Sequence, residues 1–121
     1  MSLLDRVNLN EVPLTAEQAH GGTGLIRFCR LAEKDDLVGA CNFIDLAELP
    51  PGVSIGCHRH REDEEELYLV LEGTGTMHRD GEVFTVRSGD LVRNAPKGQH
   101  GLVNTGTVAL RIFVFELRVV P

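Results

Sequence analysis

The rhythm of the apolar residues narrows the possible folds more than any other feature of this chain. Val53, Ile55 and Cys57 alternate with Ser54, Gly56 and His58, a period of two that marks a half-buried strand. The run Leu67-Tyr68-Leu69-Val70-Leu71 stops at Gly73-Thr74-Gly75, and a short segment from Thr76 to Arg79 meets the turn Arg79-Asp80-Gly81-Glu82. Val83-Phe84-Thr85-Val86 follows, and Asp-Gly between two apolar runs is among the strongest hairpin signals. Ser88-Gly89-Asp90 then turns into Leu91-Val92-Arg93, His100 to Asn104 reads as another short strand, and Leu110 to Leu117 as the last. Many short strands with turn residues between them predict an all-β, antiparallel barrel or sandwich.

Before residue 40 the pattern is weaker. Leu14 to Ala19 is expected to make one helical turn capped by Thr15. Gly24 to Leu31 reads as a strand with Ile26, Phe28 and Arg30 on one side, followed by the charged turn Glu33-Lys34-Asp35-Asp36. A strand from Ala40 to Leu46 leads to the rigid Pro50-Pro51-Gly52.

Chemistry concentrates in one place. His58 and His60 stand two apart on a strand, so both imidazoles can face one ion. The acidic run Glu62-Asp63-Glu64-Glu65-Glu66 follows, and His100 lies further on. Two imidazoles, a carboxylate and a third imidazole from neighbouring strands make a nitrogen-and-oxygen shell suited to one divalent transition metal: iron, manganese, nickel or zinc. Regular alternation puts Ser54 and Gly56 on the histidine face, leaving room for an ion and a ligand, with Val53 and Ile55 on the opposite side. Cys57 then faces away from His58 as a small buried hydrophobe.

These residues resemble the cupins, whose small barrels carry two short motifs. The first reads Gly, five residues, His-any-His, three or four residues, Glu, six residues, Gly; Gly52, His58, His60 and Gly73 match it. Counting back from Gly73 selects Glu66, five residues after His60, so the loop is one longer than the family pattern; counting forward selects Glu64 or Glu65. Glu66 is preferred because strand geometry is less elastic than the loop before it. The second motif reads Gly, five residues, Pro-any-Gly, two residues, His, three residues, Asn. Gly89, His100 and Asn104 fall in register, while Pro96 and Gly98 each sit one place late.

The resemblance implies a jelly-roll barrel with His58, His60, Glu66 and His100 around one ion, and a homodimer. It divides the single domain, 1–121, into an amino-terminal arm with edge strands, 1–39, and a barrel, 40–117, with motif one at 52–73 and motif two at 89–104. Four protein ligands leave positions open on a six-coordinate ion, so the leading expectation is a metal-dependent enzyme acting on an oxygen-bearing small molecule by dioxygenation, decarboxylation or isomerisation. The alternative is a non-catalytic, metal-containing module that binds a sugar or organic acid; a third, weaker reading is a metal-free scaffold. No catalytic acid or base beyond the ligands stands out; Glu72 and Glu116 are carboxylates on otherwise apolar strands whose ends could point to solvent.

Other residues invite plainer readings. His78, beside the Asp-Gly hairpin, is expected to be exposed, Tyr68 to pack in the core or an interface, and His20-Gly21-Gly22-Thr23-Gly24 to be a flexible loop, with a mobile arm near the barrel mouth as the other option. At 121 residues the chain suits one core. A net charge of -6 with no cluster of Lys and Arg argues against nucleic acid. Cys29, Cys41 and Cys57 are odd in number and widely spaced, which argues against a disulfide framework. No apolar run approaches 18 residues and the first residues carry no leader pattern, so no membrane partner and a cytoplasmic location are expected.

Overall fold

The structure, a computed structural model, describes residues 3–120. Ten strands follow one another: β1 (Thr15–Glu17), β2 (Ile26–Glu33), β3 (Cys41–Leu49), β4 (Ser54–Arg59), β5 (Glu64–Glu72), β6 (Thr74–Arg79), β7 (Glu82–Arg87), β8 (Leu91–Asn94), β9 (Gln99–Val103) and β10 (Leu110–Arg118). They form a six-stranded sheet in the order β1-β2-β3-β10-β5-β8 and a four-stranded sheet in the order β4-β9-β6-β7. All pairings between named strands are antiparallel, and the two sheets close face to face as a jelly-roll barrel.

Alternation explains the core. On β5, Glu66, Tyr68 and Val70 are buried while Glu65, Leu67 and Leu69 are only half-buried; on β10, Ile112, Val114 and Glu116 share the inner parity. Leu49, Val70, Met77, Leu102, Leu110 and Ile112 meet in the central cluster. The six-stranded sheet is also covered on its other face, where Cys29, Leu31 and Leu46 pack with Leu9, Val12 and Leu14 of the amino-terminal segment. Arg111 pins that segment: it donates to the Leu9 carbonyl at 2.6 Å, to Asn10 at 2.8 Å and to Glu48 at 3.1 Å. The β6–β7 hairpin is the one expected, with Asp80 (φ 49°) and Gly81 (φ 83°) both left-handed, as a type I′ turn requires.

Several expectations fail here. Residues 15–17 form a strand paired to β2, not a helical turn, so β1 and β2 extend the chain's own sheet beyond β3. On β4, Ile55 pairs with Leu102 but His58 with His100, so Gly56 and Cys57 together oppose Gly101. This bulge shifts the pleat by one residue. Ile55 therefore points inward with His58, contrary to the alternation reading, and Cys57 is exposed rather than buried.

Gly56 does not make room for an ion either. Its missing side chain admits the segment after β1: a Cβ at Gly56 would collide with the His20 carbonyl, and one at Gly22 with the Ser54 carbonyl. Gly56 and Ser54 donate their backbone N–H groups to the carbonyls of Ala19 (3.0 Å) and Thr23 (2.9 Å), and Ala19 bridges to Ile55. What reads in sequence as a flexible loop is bonded along β4.

Candidate metal centre

The inner faces of β4, β5 and β9, with His60 just past the end of β4, bring four side chains to one point. One donor atom each from His58, His60, Glu66 and His100 lies within 4.8 Å of the others. His100 Nε2 is 3.1 Å and His60 Nε2 3.6 Å from Glu66 Oε1. The imidazole centroids are 4.5 Å apart for His58 and His100, 5.0 Å for His58 and His60, and 4.8 Å for His60 and His100. Of the three candidate acids, Glu66 is on this inner face at 4% exposure, whereas Glu65 faces outward to Arg93, 2.7 Å away. Glu64 shares the inner parity but approaches the other ring nitrogen of His60, at 4.0 Å.

The surroundings orient the rings. His58 Nδ1 lies 2.8 Å from the Gly56 carbonyl, which leaves Nε2 as the free nitrogen when Nδ1 carries the proton. His60 Nδ1 is 3.1 Å from Glu116, which is itself held by Asn42 at 2.9 Å. A carboxylate on the far nitrogen of a histidine is the usual brace of a metal-ligating imidazole. The Tyr68 hydroxyl stands 3.3 Å from His100 Nε2, and burial raises the phenol pKa well above its ordinary value. Tyr68 is thus a core residue with its polar tip at the cluster.

Electrostatics without an ion are uneven. The Glu116 hydrogen bond, then the nearby Glu66 carboxylate, raises the His60 pKa to about 10, so this ring is an imidazolium at neutral pH. Burial pushes Glu66 up, but the hydrogen bond from His100 and the nearby His60 ring outweigh it and bring the carboxyl down to about 2. Burial lowers His58 to about 4. Two nitrogens, His60 Nε2 and His100 Nδ1, are buried with no hydrogen-bond partner. Three imidazoles and one carboxylate with an unpartnered inward nitrogen form a donor set that could hold a divalent transition metal.

The cluster sits in a cavity of about 460 Å³. Ile26, Phe43, Ile55 and Val114 form apolar walls, and Arg30, Asp45 and His20 are polar lining residues outside the four-donor set. The His20 ring stacks on His58 with centroids 3.6 Å apart. His78 is exposed on the outer face, as expected. Sequence reasoning left out Asp45 and left Glu116 undecided; both are about 5% exposed and face inward, whereas Glu72 is exposed. For Glu116 the signal was its parity with Val114 on an apolar strand.

A family description, "Cupin domain", matches residues 45–116, and the chain belongs to the cupin family. An oxalate-binding protein of Thermotoga maritima is 31% identical over 98 residues, covering 81% of this chain and 80% of that protein. An uncharacterised protein of Methanocaldococcus jannaschii is 42% identical over 69 residues, 55% of this chain and 54% of that one. Among solved structures, one described as a "predicted oxalate decarboxylase" from Thermotoga maritima superposes with a TM-score of 0.88 at 26% identity, covering 93% of this chain and 98% of that one. KdgF from Halomonas sp., at 18% identity and a TM-score of 0.70 over 92% and 93% of the two chains, shares the fold.

Proposed function

We propose that this chain is a metal-dependent cupin that holds one divalent ion on His58, His60, Glu66 and His100 and acts on a small oxygen-bearing acid, with oxalate the first candidate and decarboxylation the first candidate reaction. One observation carries the reading: four nitrogen and oxygen donors converge within 4.8 Å beside a cavity large enough for a small ligand. When bound, the ion supplies Lewis-acid character and positions open to a chelating acid.

The chain's own groups do the rest. Gly56 and Glu116 hold the rings of His58 and His60 in place, and Glu66 offsets part of the ion's charge. The cavity carries the carboxylates Asp45, Glu64, Glu66 and Glu116 against the guanidinium groups of Arg30, Arg59 and Arg61. A divalent ion tips that balance to positive, so an anionic ligand enters with the ion and not without it. Apolar walls then keep water from the carbon skeleton.

The second reading is a binding module without turnover, which the relative named for oxalate binding favours. The experiment begins with elemental analysis of tag-free protein, for which close to one ion per chain is expected. Oxalate is then added to the manganese-loaded protein. A changed Mn(II) resonance with release of carbon dioxide and formate supports the enzyme, and a changed resonance without products supports the module. No ion retained, or no response of the ion to any chelating acid, refutes both.

A further inference from the structure

A charge pair is built into the cavity wall away from the four donors. Arg30 on β2 and Asp45 on β3 are direct cross-strand partners. The guanidinium donates to both carboxylate oxygens, Nε to Oδ1 at 2.8 Å and Nη2 to Oδ2 at 3.1 Å. Its carbon lies 4.4 Å from the centre of the Phe43 ring and 5.5 Å from that of Phe28. The Asp45 side chain is 8% exposed, but that of Arg30 is 40% exposed. Both residues line the cavity that contains the donor cluster.

Stability does not account for this arrangement. Desolvating an ion pair costs about as much as the pair returns, and apolar residues of the same volume are often no worse there. Burial in fact outweighs Arg30 and lifts the Asp45 carboxyl to about 6, with Glu66 adding to the rise. Asp45 is therefore held as an anion against its surroundings and within electrostatic reach of the cluster. The pair instead fixes a planar cation at one orientation: two donors occupied by Asp45, the faces held by aromatic rings, and Nη1 free of any hydrogen bond among the described residues. A braced guanidinium with spare donors is a device for reading oxygen anions.

The other basic groups of the cavity are engaged or loose. Arg59 is spent on the Lys97 carbonyl and Gln99, and the side chain of Arg61 is 80% exposed. We infer that Arg30, braced by Asp45, is the residue that selects the ligand, and that the preferred ligand is a small chelating dianion whose inner oxygens meet the metal centre while its outer oxygens accept hydrogen bonds from the Arg30 guanidinium. This rests on the reading of the cluster as an open metal centre and adds to it a substrate class: short dicarboxylates in preference to chelators with no second acidic edge.

The test compares two probes on the manganese-loaded protein, oxalate, which has an outer carboxylate edge, and acetohydroxamate, which chelates without one. Affinities are read from the Mn(II) resonance, with metal content and thermal midpoint as controls. Arg30→Gln should weaken oxalate about ten- to a hundredfold, the range for hydrogen bonds to charged groups, and change acetohydroxamate less than about threefold, with metal content unaltered. Arg30→Lys keeps the cation but not the fork; it should fall between, and it carries the test if Arg30→Gln does not fold. Asp45→Asn, which frees the guanidinium, should also lower the preference for oxalate. Equal loss of both probes, or loss of neither, overturns the inference while leaving the metal centre standing. If the unaltered protein responds to neither probe, the open metal centre itself is refuted.

Discussion

On the proposed reading His60 must give up a proton before it can hold an ion, which makes metal affinity a steep function of pH. In the metal-free protein its hydrogen bond to Glu116 and the nearby Glu66 carboxylate raise the ring to about 10. Glu66, at about 2, and His58, at about 4, are already deprotonated near neutrality and contribute no slope there. Because His60 stays protonated until pH approaches 10, each unit of pH below that value costs a factor of ten in its availability, about 1.4 kcal/mol. Between pH 6.5 and 8.5, Zn(II) or Ni(II) affinity should therefore rise about a hundredfold, about 2.7 kcal/mol. Competition against a chelator of known protonation gives the affinity. Calorimetry in two buffers of different ionisation heat counts the proton that His60 releases. Glu116→Gln removes the largest cause of the raised pKa, so the rise should level off at a lower pH than in the unaltered protein. An affinity that stays flat from pH 6.5 to 8.5 would mean that His60 is not the protonated ligand assumed here.

The remaining expectations are simpler to measure. His58→Ala or His100→Ala should leave a folded barrel that retains little or no metal after dialysis; full occupancy in the double variant would remove these residues from the ligand set. Glu66→Gln should lower metal content or alter its spectrum, whereas Glu65→Gln, which touches only the outward Arg93 pair, and Glu62→Gln should leave both unchanged; a damaging Glu65→Gln would invert the parity of β5. Leu110, fully buried between the sheets, should cost about 2 to 5 kcal/mol when replaced by Ala in chemical denaturation, and a loss below about 1 kcal/mol would mean the central cluster is looser than its burial implies.

Where the chain keeps a regular pleat, its sequence is easy to read. The Asp80-Gly81 hairpin and the shared face of His58 and His60 follow from turn chemistry and period two, while the choice of Glu66 and the place of His100 come from the spacing of the cupin motifs. Reading fails where that period breaks. The bulge at Gly56 and Cys57 has no local signal beyond a glycine, so Ile55 and Cys57 were placed on the wrong side or in the wrong environment. Thr15 to Glu17 is short and exposed, and its strand state depends on pairing with residues 26–28, which no window around Thr15 contains. Asp45 and Glu116 look like interruptions of apolar strands until their partners, Arg30 and His60, arrive from elsewhere in the chain.

The seam between Gly22 and Gly56 is made mostly of main chain, joined by the Ser54 hydroxyl, which accepts from the Thr23 N–H at 2.8 Å. The residue at 20 is accordingly held by backbone bonds on either side of it as well as by the stack of its ring on His58. Exchanging His20 for glycine or asparagine, which tolerate its left-handed φ of 51°, would change the rim of the cavity while the backbone bonds of the strap remain. The same economy works in reverse: Gly56→Ala, which alters no side chain in the cavity, would lift the strap from β4 and widen the opening.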